Sequence, residues 1–170
     1  MSRNQSNESG RARRAVRSCI GALGILAGAA ALAAGVSAAG SGDHAVVPAG
    51  TVAWGPGPAS IPAGAEAAVL YGDPGAEELF ALRLRLPDGY VIMPHNHPRP
   101  EIVTIISGTL HLGTGTDMDS EMEPLAAGSF FGFDPGMTHF VRAEGETVIQ
   151  LNSMGPWSID YVDDADDPRM

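Results

Sequence analysis

Two histidines and a glutamate lie close together near the middle of the chain, in the stretch His95-x-His97-x3-Glu101. Residues two apart in an extended strand face the same way, so His95 and His97 are predicted to present their imidazoles on one side. Pro98 and Pro100 predict a turn, after which Glu101 begins the next strand and points back toward the histidines. This hairpin can bring two imidazoles and one carboxylate to a single metal ion.

A further candidate ligand, His139, follows a proline-glycine turn some way along the chain. Imidazole and carboxylate ligands without a thiolate suit Fe, Mn, Ni, Cu or Zn in a site unlike the structural cysteine zinc sites. An octahedral ion with four protein ligands keeps two positions open for water, substrate or dioxygen, which is typical of reactive sites. We therefore expect His95, His97, Glu101 and His139 to bind one divalent transition-metal ion.

The segments that must position these residues are short apolar runs separated by Gly, Pro or Asp. No window has a convincing helical period, and in one run leucines alternate with Arg83 and Arg85, which indicates a strand with one buried face. Many short strands with frequent turns indicate an all-β sandwich or barrel. The predicted strands are 67–71, 79–86, 90–93, 101–106, 109–112, 129–133, 138–141, 147–151 and 157–162.

The pattern of fixed positions resembles the cupin superfamily. Gly89 and Gly108 flank the hairpin at the spacing of the first cupin motif, and Gly128, Gly136 and His139 have the spacing of the second. Two turn or support positions differ, because the family's proline stands one place later and its frequent asparagine is an alanine. The resemblance covers roughly residues 67–162.

This resemblance implies a small single-domain bacterial cupin with a double-stranded β-helix, or jelly-roll barrel, and the metal inside one mouth. The family's metal ligands carry over onto His95, His97, Glu101 and His139. It also implies a small-molecule ligand or substrate and a homodimer formed through sheet edges.

The first part of the chain has a different character. Arginines at positions 11, 13, 14 and 17 precede an apolar run over 20–36 and then small residues, the pattern of a secretory signal peptide. We predict that residues 1–39 direct export, through the general or the twin-arginine route, and that the protein is periplasmic or secreted. An uncleaved anchor is the less favoured alternative, because the run is short and rich in Ala and Gly.

The remaining 131 residues have the length of one domain. We predict an extended arm over 40–66, the barrel over 67–162 and an acidic tail over 163–170. This part has five arginines, no lysine and 19 acidic residues, a formal charge of −14. Such a surface repels phosphate backbones and anionic lipid, so we expect no nucleic-acid partner and no membrane contact beyond the signal segment. The sole cysteine lies within residues 1–39, so no disulfide is expected in the mature chain.

Other side chains leave alternatives open. His111 either faces solvent or lines the cavity as a proton shuttle, and Tyr90 is a second loose candidate for a general base. Arg83 and Arg85 either face solvent or point inward to clamp a substrate carboxylate. The aromatic residues are interpreted as core and pocket wall, namely Phe130, Phe131, Phe133, Phe140 and Trp157.

Two functions therefore remain. One is an exported metal-dependent enzyme on a small organic molecule, working as a dioxygenase, an isomerase or a hydrolase. The other is a non-catalytic module of the cell envelope that binds a small molecule or a metal. No catalytic residue is assigned from the sequence, and no organic cofactor is expected.

Overall fold

The computed structural model describes residues 44–170 and contains nine β-strands but no α-helix in that range. Short 3₁₀ turns cover Ala49–Thr51 and Asp164–Asp166. The strands are β1 (Gly55–Pro56), β2 (Glu66–Tyr71), β3 (Leu79–Leu86), β4 (Val91–Asn96), β5 (Glu101–Thr114), β6 (Glu123–Ala126), β7 (Phe130–Phe133), β8 (His139–Met154) and β9 (Asp160–Tyr161). The signal-peptide prediction for residues 1–39 lies outside this range.

Two long strands organise the barrel. β8 pairs with β5 along most of its length. On its other side the first part of β8 pairs with β4 and the second part with β3. β5 also pairs with β6 and β7, and all of these pairings are antiparallel. Strands that share partners in this way wrap around one core, and the predicted all-β jelly-roll barrel is confirmed.

The alternation of side chains along the strands explains the core. In β3 the residues at even positions from Phe80 to Leu86 are buried, while Arg83 and Arg85 lie on the opposite face. The same period of two holds over residues 101–105 of β5 and 147–153 of β8, and the buried apolar residues of these strands join those of β3 in one core cluster. The fully buried apolar side chains are Phe80, Leu86, Val103, Ile105, Leu110 and Phe140.

Strands β5 and β8 are each longer than the sequence predicted. The runs 101–106 and 109–112 form one strand, as do 138–141 and 147–151, whereas of 157–162 only Asp160–Tyr161 is a strand. The cause in β5 is a bulge around Gly108, which has φ of +77° and lies so close to Glu146 and Thr147 that no Cβ would fit. A glycine that bends a continuous strand looks in the sequence like a glycine that ends one.

Residues before β2 pack onto the barrel. Strand β1 pairs with β2. Tyr161 Oη donates a hydrogen bond of 3.0 Å to the Ser60 carbonyl, and Tyr90 Oη donates to the Pro62 carbonyl. We call residues 55–62 the N-terminal strap. Within residues 44–170 there is no helix long and apolar enough to cross a membrane.

Candidate metal centre

The four predicted ligands lie at the ends of three strands. His95 in β4 is the cross-strand partner of His139, which begins β8. His97 follows β4, and Glu101 begins β5 after the proline-rich turn. The backbone N–H of Gly136, whose φ is +81°, donates to the His97 carbonyl at 2.9 Å and so joins this turn to the one before β8. The hairpin and the second turn therefore meet at one place.

All four side chains are buried and close together. The ring nitrogens of His95, His97 and His139 that could bind a metal lie within 4.8 Å of one another. Glu101 Oε2 is 3.0 Å from His139 Nε2, and Glu101 Oε1 is 3.6 Å from His97 Nε2. The three histidines could hold a metal ion, with the carboxylate beside them. We call these four residues the His–Glu cluster.

Backbone carbonyl groups fix the orientation of each imidazole. The Nδ1 atoms of His95, His97 and His139 lie 2.7, 2.7 and 3.1 Å from the carbonyl oxygens of Met93, Ser158 and Met137, in that order. A carbonyl oxygen only accepts hydrogen bonds, so each Nδ1 must carry the proton. In the neutral rings the Nε2 lone pairs are then free to bind a metal, as is usual for histidine ligands.

Burial keeps two of these rings neutral. Removal from water lowers the pKa of His95 to about 3, and the nearby His139 acts in the same direction. Burial is also the largest cause of the lowered pKa of His97, which outweighs the opposite effect of Glu101. Neutral imidazole is the form that binds metals, so both rings are ready for a cation at neutral pH.

The cluster forms part of the wall of a cavity of about 310 Å³ inside the barrel. Apart from the cluster and Ser60, every residue that lines it is aliphatic, aromatic, proline or glycine. The Trp157 ring stacks on His97 with 4.1 Å between centroids and 22° between planes. This volume is at the low end of the range for small-molecule pockets.

Comparison with known proteins identifies the family. The family model described as a cupin domain matches residues 82–153, which include all four residues of the cluster. The jelly-roll barrel agrees with that match. Residues 82–153 therefore form a cupin domain, and the barrel around them supports the cupin superfamily.

Solved structures show the same cupin fold. An RmlC-like cupin from Shewanella frigidimarina is 16% identical, with a TM-score of 0.51 over 65% of this chain and 90% of that one. KdgF from Halomonas sp. is 18% identical, with a TM-score of 0.51 over 68% of this chain and 96% of that one. The polyketide cyclase RemF from Streptomyces resistomycificus is 16% identical, with a TM-score of 0.51 over 61% and 75%. A search of curated proteins gives no match.

The hydrogen-bond chemistry of this cupin's cluster fits a metal ion. With Nδ1 protonated, the Nε2 atom of a neutral ring can only accept hydrogen bonds, as can the oxygens of a carboxylate. His97 Nε2 and Glu101 Oε2 are buried without a hydrogen-bond partner. His139 Nε2 lies 3.0 Å from Glu101 Oε2, which has no hydrogen-bond partner. Buried acceptors without donors are costly, and a divalent cation among them would satisfy all four side chains at once.

The two arginines considered as a carboxylate clamp lie outside the cavity. Arg83 Nε donates to Gln150 Oε1 at 3.1 Å. The Arg85 guanidinium donates to Glu66 at 2.6 Å and lies over the Trp54 ring, 4.1 Å from its centroid. The inward clamp is therefore wrong, because the strand alternation that buries the leucines of β3 turns both arginines outward.

The loose candidates for a general base are also away from the cluster. His111 Nε2 is 2.6 Å from Glu144 Oε2, and its side chain is 28% exposed, on a surface depression and not in the cavity. Tyr90 directs its hydroxyl to the N-terminal strap. Neither residue lines the cavity, so the solvent-facing alternative holds for His111.

The aromatic residues divide between core, wall and surface. Phe140 is fully buried, Phe131 lines the cavity, and Phe133 packs against His139 with 4.9 Å between ring centroids. Phe130 is 62% exposed and is an exception to the predicted role. Two features were not predicted from the sequence: Trp157 stacks on His97, and the strap residues Pro56, Pro58, Ser60 and Ile61 line the cavity. Both contacts join distant parts of the chain and leave no local pattern.

Proposed function

We propose that this protein is an exported cupin that binds one divalent transition-metal ion through His95, His97, Glu101 and His139 and acts as an enzyme on a small organic molecule. The observation that carries the proposal is the buried cluster, with two polar atoms that lack a hydrogen-bond partner, beside an apolar cavity. A bound divalent ion would supply a Lewis acid at the cluster, next to the space for a small organic molecule.

The protein's own residues would prepare this site in three ways. The Nδ1 hydrogen bonds hold the imidazoles so that no reorientation is needed when the metal binds. Trp157 limits the movement of His97 by stacking on it. The apolar wall excludes water, which strengthens electrostatic interactions at the cluster. Export is supported by the pattern of residues 1–39, and N-terminal sequencing of protein from the extracytoplasmic fraction tests it, with Met1 at the N-terminus as the contrary result.

The metal proposal is tested by metal analysis of the untagged protein and of single variants. His97→Ala and His139→Ala should each lower metal affinity at least about tenfold and remove metal-dependent stabilisation, because metal binding is linked to folding. The matched control is His111→Ala, a histidine outside the cluster, which should bind metal as the parent does. Full metal occupancy and unchanged melting in both cluster variants would disprove the ligand set.

A non-catalytic binding role is the second candidate, and one observation favours it. The described residues place no lysine, arginine, tyrosine, aspartate or thiol in the cavity wall, so any proton transfer must use the metal's own ligands, water or Ser60. Oxygen uptake and product analysis with a panel of small metabolites, on Fe(II)-loaded protein, separate the two. Turnover supports the enzyme, whereas binding without turnover across the panel supports the binding role.

A further inference from the structure

We propose that the ligand of this cavity is an uncharged, mainly apolar molecule that directs a single oxygen donor at the His–Glu cluster, and not a carboxylate or a phosphate. The inference rests on the proposed function, since it places the ligand beside the cluster. It names the chemical class that the sequence left open.

The wall offers apolar contact on every side except at the cluster. Leu82 and Leu84 of β3 face Ile149 and Leu151 of β8, and the N-terminal strap adds Ile61. All five are buried or nearly so. Such a wall gains free energy by covering apolar atoms and offers no hydrogen bond in exchange for a lost hydration shell.

No positively charged side chain lines the cavity, so none could receive an anionic ligand. The described residues contain five arginines and no lysine, and none of the five lines the cavity. Arg83 and Arg85 already have partners on the outer face of β3. The one acidic side chain in the wall is Glu101, so the lining supplies no positive charge of its own.

A metal ion would act on this preference at the cluster only, since the rest of the wall would stay apolar. It would attract a carboxylate, but any carboxylate oxygen that it did not hold would need a hydrogen-bond donor. With each Nδ1 already engaged by a carbonyl, the lining side chains with a donor to offer are Ser60 and the indole N–H of Trp157. A phosphate would need more donors still. A hydroxyl or a carbonyl oxygen needs one contact only.

The form of the cavity favours a flat molecule of modest size. Trp157 and Phe131 present rings to it, and aromatic faces pack well against planar ligands. The volume of about 310 Å³ suits a single ring with a short substituent. Para-ethylphenol and para-ethylbenzoate are therefore suitable probes, since they match in shape and differ in charge at neutral pH.

Trp157 provides a direct readout. The chain has two tryptophans, and Trp54 lies on the outer face over Arg85. In full-chain protein carrying Trp54→Phe, the fluorescence of Trp157 reports both Ni²⁺ at the cluster and a probe in the cavity. The two probes are titrated into metal-free and Ni²⁺-loaded protein, with calorimetry as an independent measurement. We expect para-ethylphenol to bind at least about tenfold more tightly than para-ethylbenzoate in both forms.

Variants locate the binding. Val69→Phe fills part of the cavity and should weaken para-ethylphenol binding at least about tenfold. The control Val148→Phe, on the outer side of β8, should bind like the parent, since Val148 does not line the cavity. Should Val69→Phe fail to fold by circular dichroism, the smaller intrusion Ala67→Val replaces it.

Each result has one meaning. Equal or tighter binding of para-ethylbenzoate, no binding of either probe, or full binding by the cavity-filling variant overturns the proposed ligand class. If Ni²⁺ fails to bind while para-ethylphenol keeps its advantage, the proposed metal function fails and the ligand class stands.

Discussion

At the scale of single residues, the arrangement of the cluster lowers the stability of the metal-free protein. Three histidines and a glutamate are buried together away from water, and His97 Nε2 and Glu101 Oε2 have no hydrogen-bond partner. Functional sites often retain such unfavourable arrangements, because the interaction that resolves them comes from the ligand. The metal-free protein should therefore become more stable when a hydrogen-bond acceptor of the cluster is replaced by a donor.

Glu101→Gln tests this idea. The amide keeps the shape of the carboxylate but can donate a hydrogen bond to His139 Nε2, which lies 3.0 Å from Glu101 Oε2. We expect the metal-free variant to melt at a higher temperature than the metal-free parent, and its metal affinity to fall at least about tenfold. Calorimetric melting with and without Ni²⁺ measures both effects. Glu144→Gln, at the surface pair with His111, is the control and should change neither the melting temperature nor the metal affinity.

Acid should destabilise the metal-free protein through His95. Its folded-state pKa is lowered to about 3, mainly by burial, whereas the unfolded chain has the ordinary value near 6.5. Below pH 6.5 the unfolded state binds more protons, so the stability contributed by the neutral ring declines from pH 6.5 toward 3 and is complete above 6.5. Melting temperature against pH measures this, and His95→Gln should flatten the decline. A parent curve that rises on acidification would contradict the assignment.

At the scale of elements, the pairing of β5 with β8 positions His139. Gly113 of β5 is the cross-strand partner of Phe140, the residue after this proposed metal ligand. A Cβ on Gly113 would lie 2.1 Å from the Phe140 ring, which is fully buried. The missing side chain is therefore what allows the ring, and the histidine next to it, to sit where they do.

Gly113→Ala should accordingly destabilise the protein by about 1–3 kcal/mol, the usual range for overpacked cores. Because the ring must move, metal affinity should also fall. The control is Gly132→Ala in β7, where the nearest atom would be 3.6 Å from the new Cβ, an ordinary contact. Urea unfolding gives the stabilities and Ni²⁺ titration gives the affinities. Equal behaviour of the two variants would show that the Phe140 ring has room to adjust.

The sequence predicted the strands and the neighbourhood of the cluster better than the cavity. Alternation and turn residues are local signals, so β3 was predicted with its observed bounds, and the fixed spacing from His95 to His139 indicated which residues meet. The continuity of β5 through Gly108 could not be predicted, because a bulge glycine resembles a turn glycine. The stacking of Trp157 on His97 and the contact of the strap with the cavity depend on pairings between distant residues.

At the scale of the whole molecule, two tyrosine hydroxyls attach the N-terminal strap to the barrel. Tyr161 donates to Ser60 and Tyr90 to Pro62. Burial raises the pKa of both hydroxyls, that of Tyr161 to about 12. Both phenols therefore stay protonated and act as donors at physiological pH. These bonds hold residues that form one side of the cavity.

Removing either hydroxyl should loosen this side. Tyr161→Phe and Tyr90→Phe should each lower the free energy of unfolding by about 0.5–1.5 kcal/mol, typical of one hydrogen bond. They should also speed proteolysis within residues 44–62, measured by mass spectrometry of the early fragments. Tyr71→Phe, at a ring that is 45% exposed, serves as the control. Cleavage rates like that of the control would show that other contacts hold the strap.

The cavity wall has two origins, with a consequence for how such a protein diversifies. The cluster is carried by β4, β5 and β8, whereas much of the remaining wall belongs to the N-terminal strap and to Trp157 and Ile159, before and after the central strands. Replacements in the strap can reshape the space for a ligand without touching the residues proposed to hold the metal, whereas replacing Trp157 would also remove its stacking on His97. Natural evolution or protein design can thus alter the selectivity of the cavity for its ligand separately from the metal-binding residues.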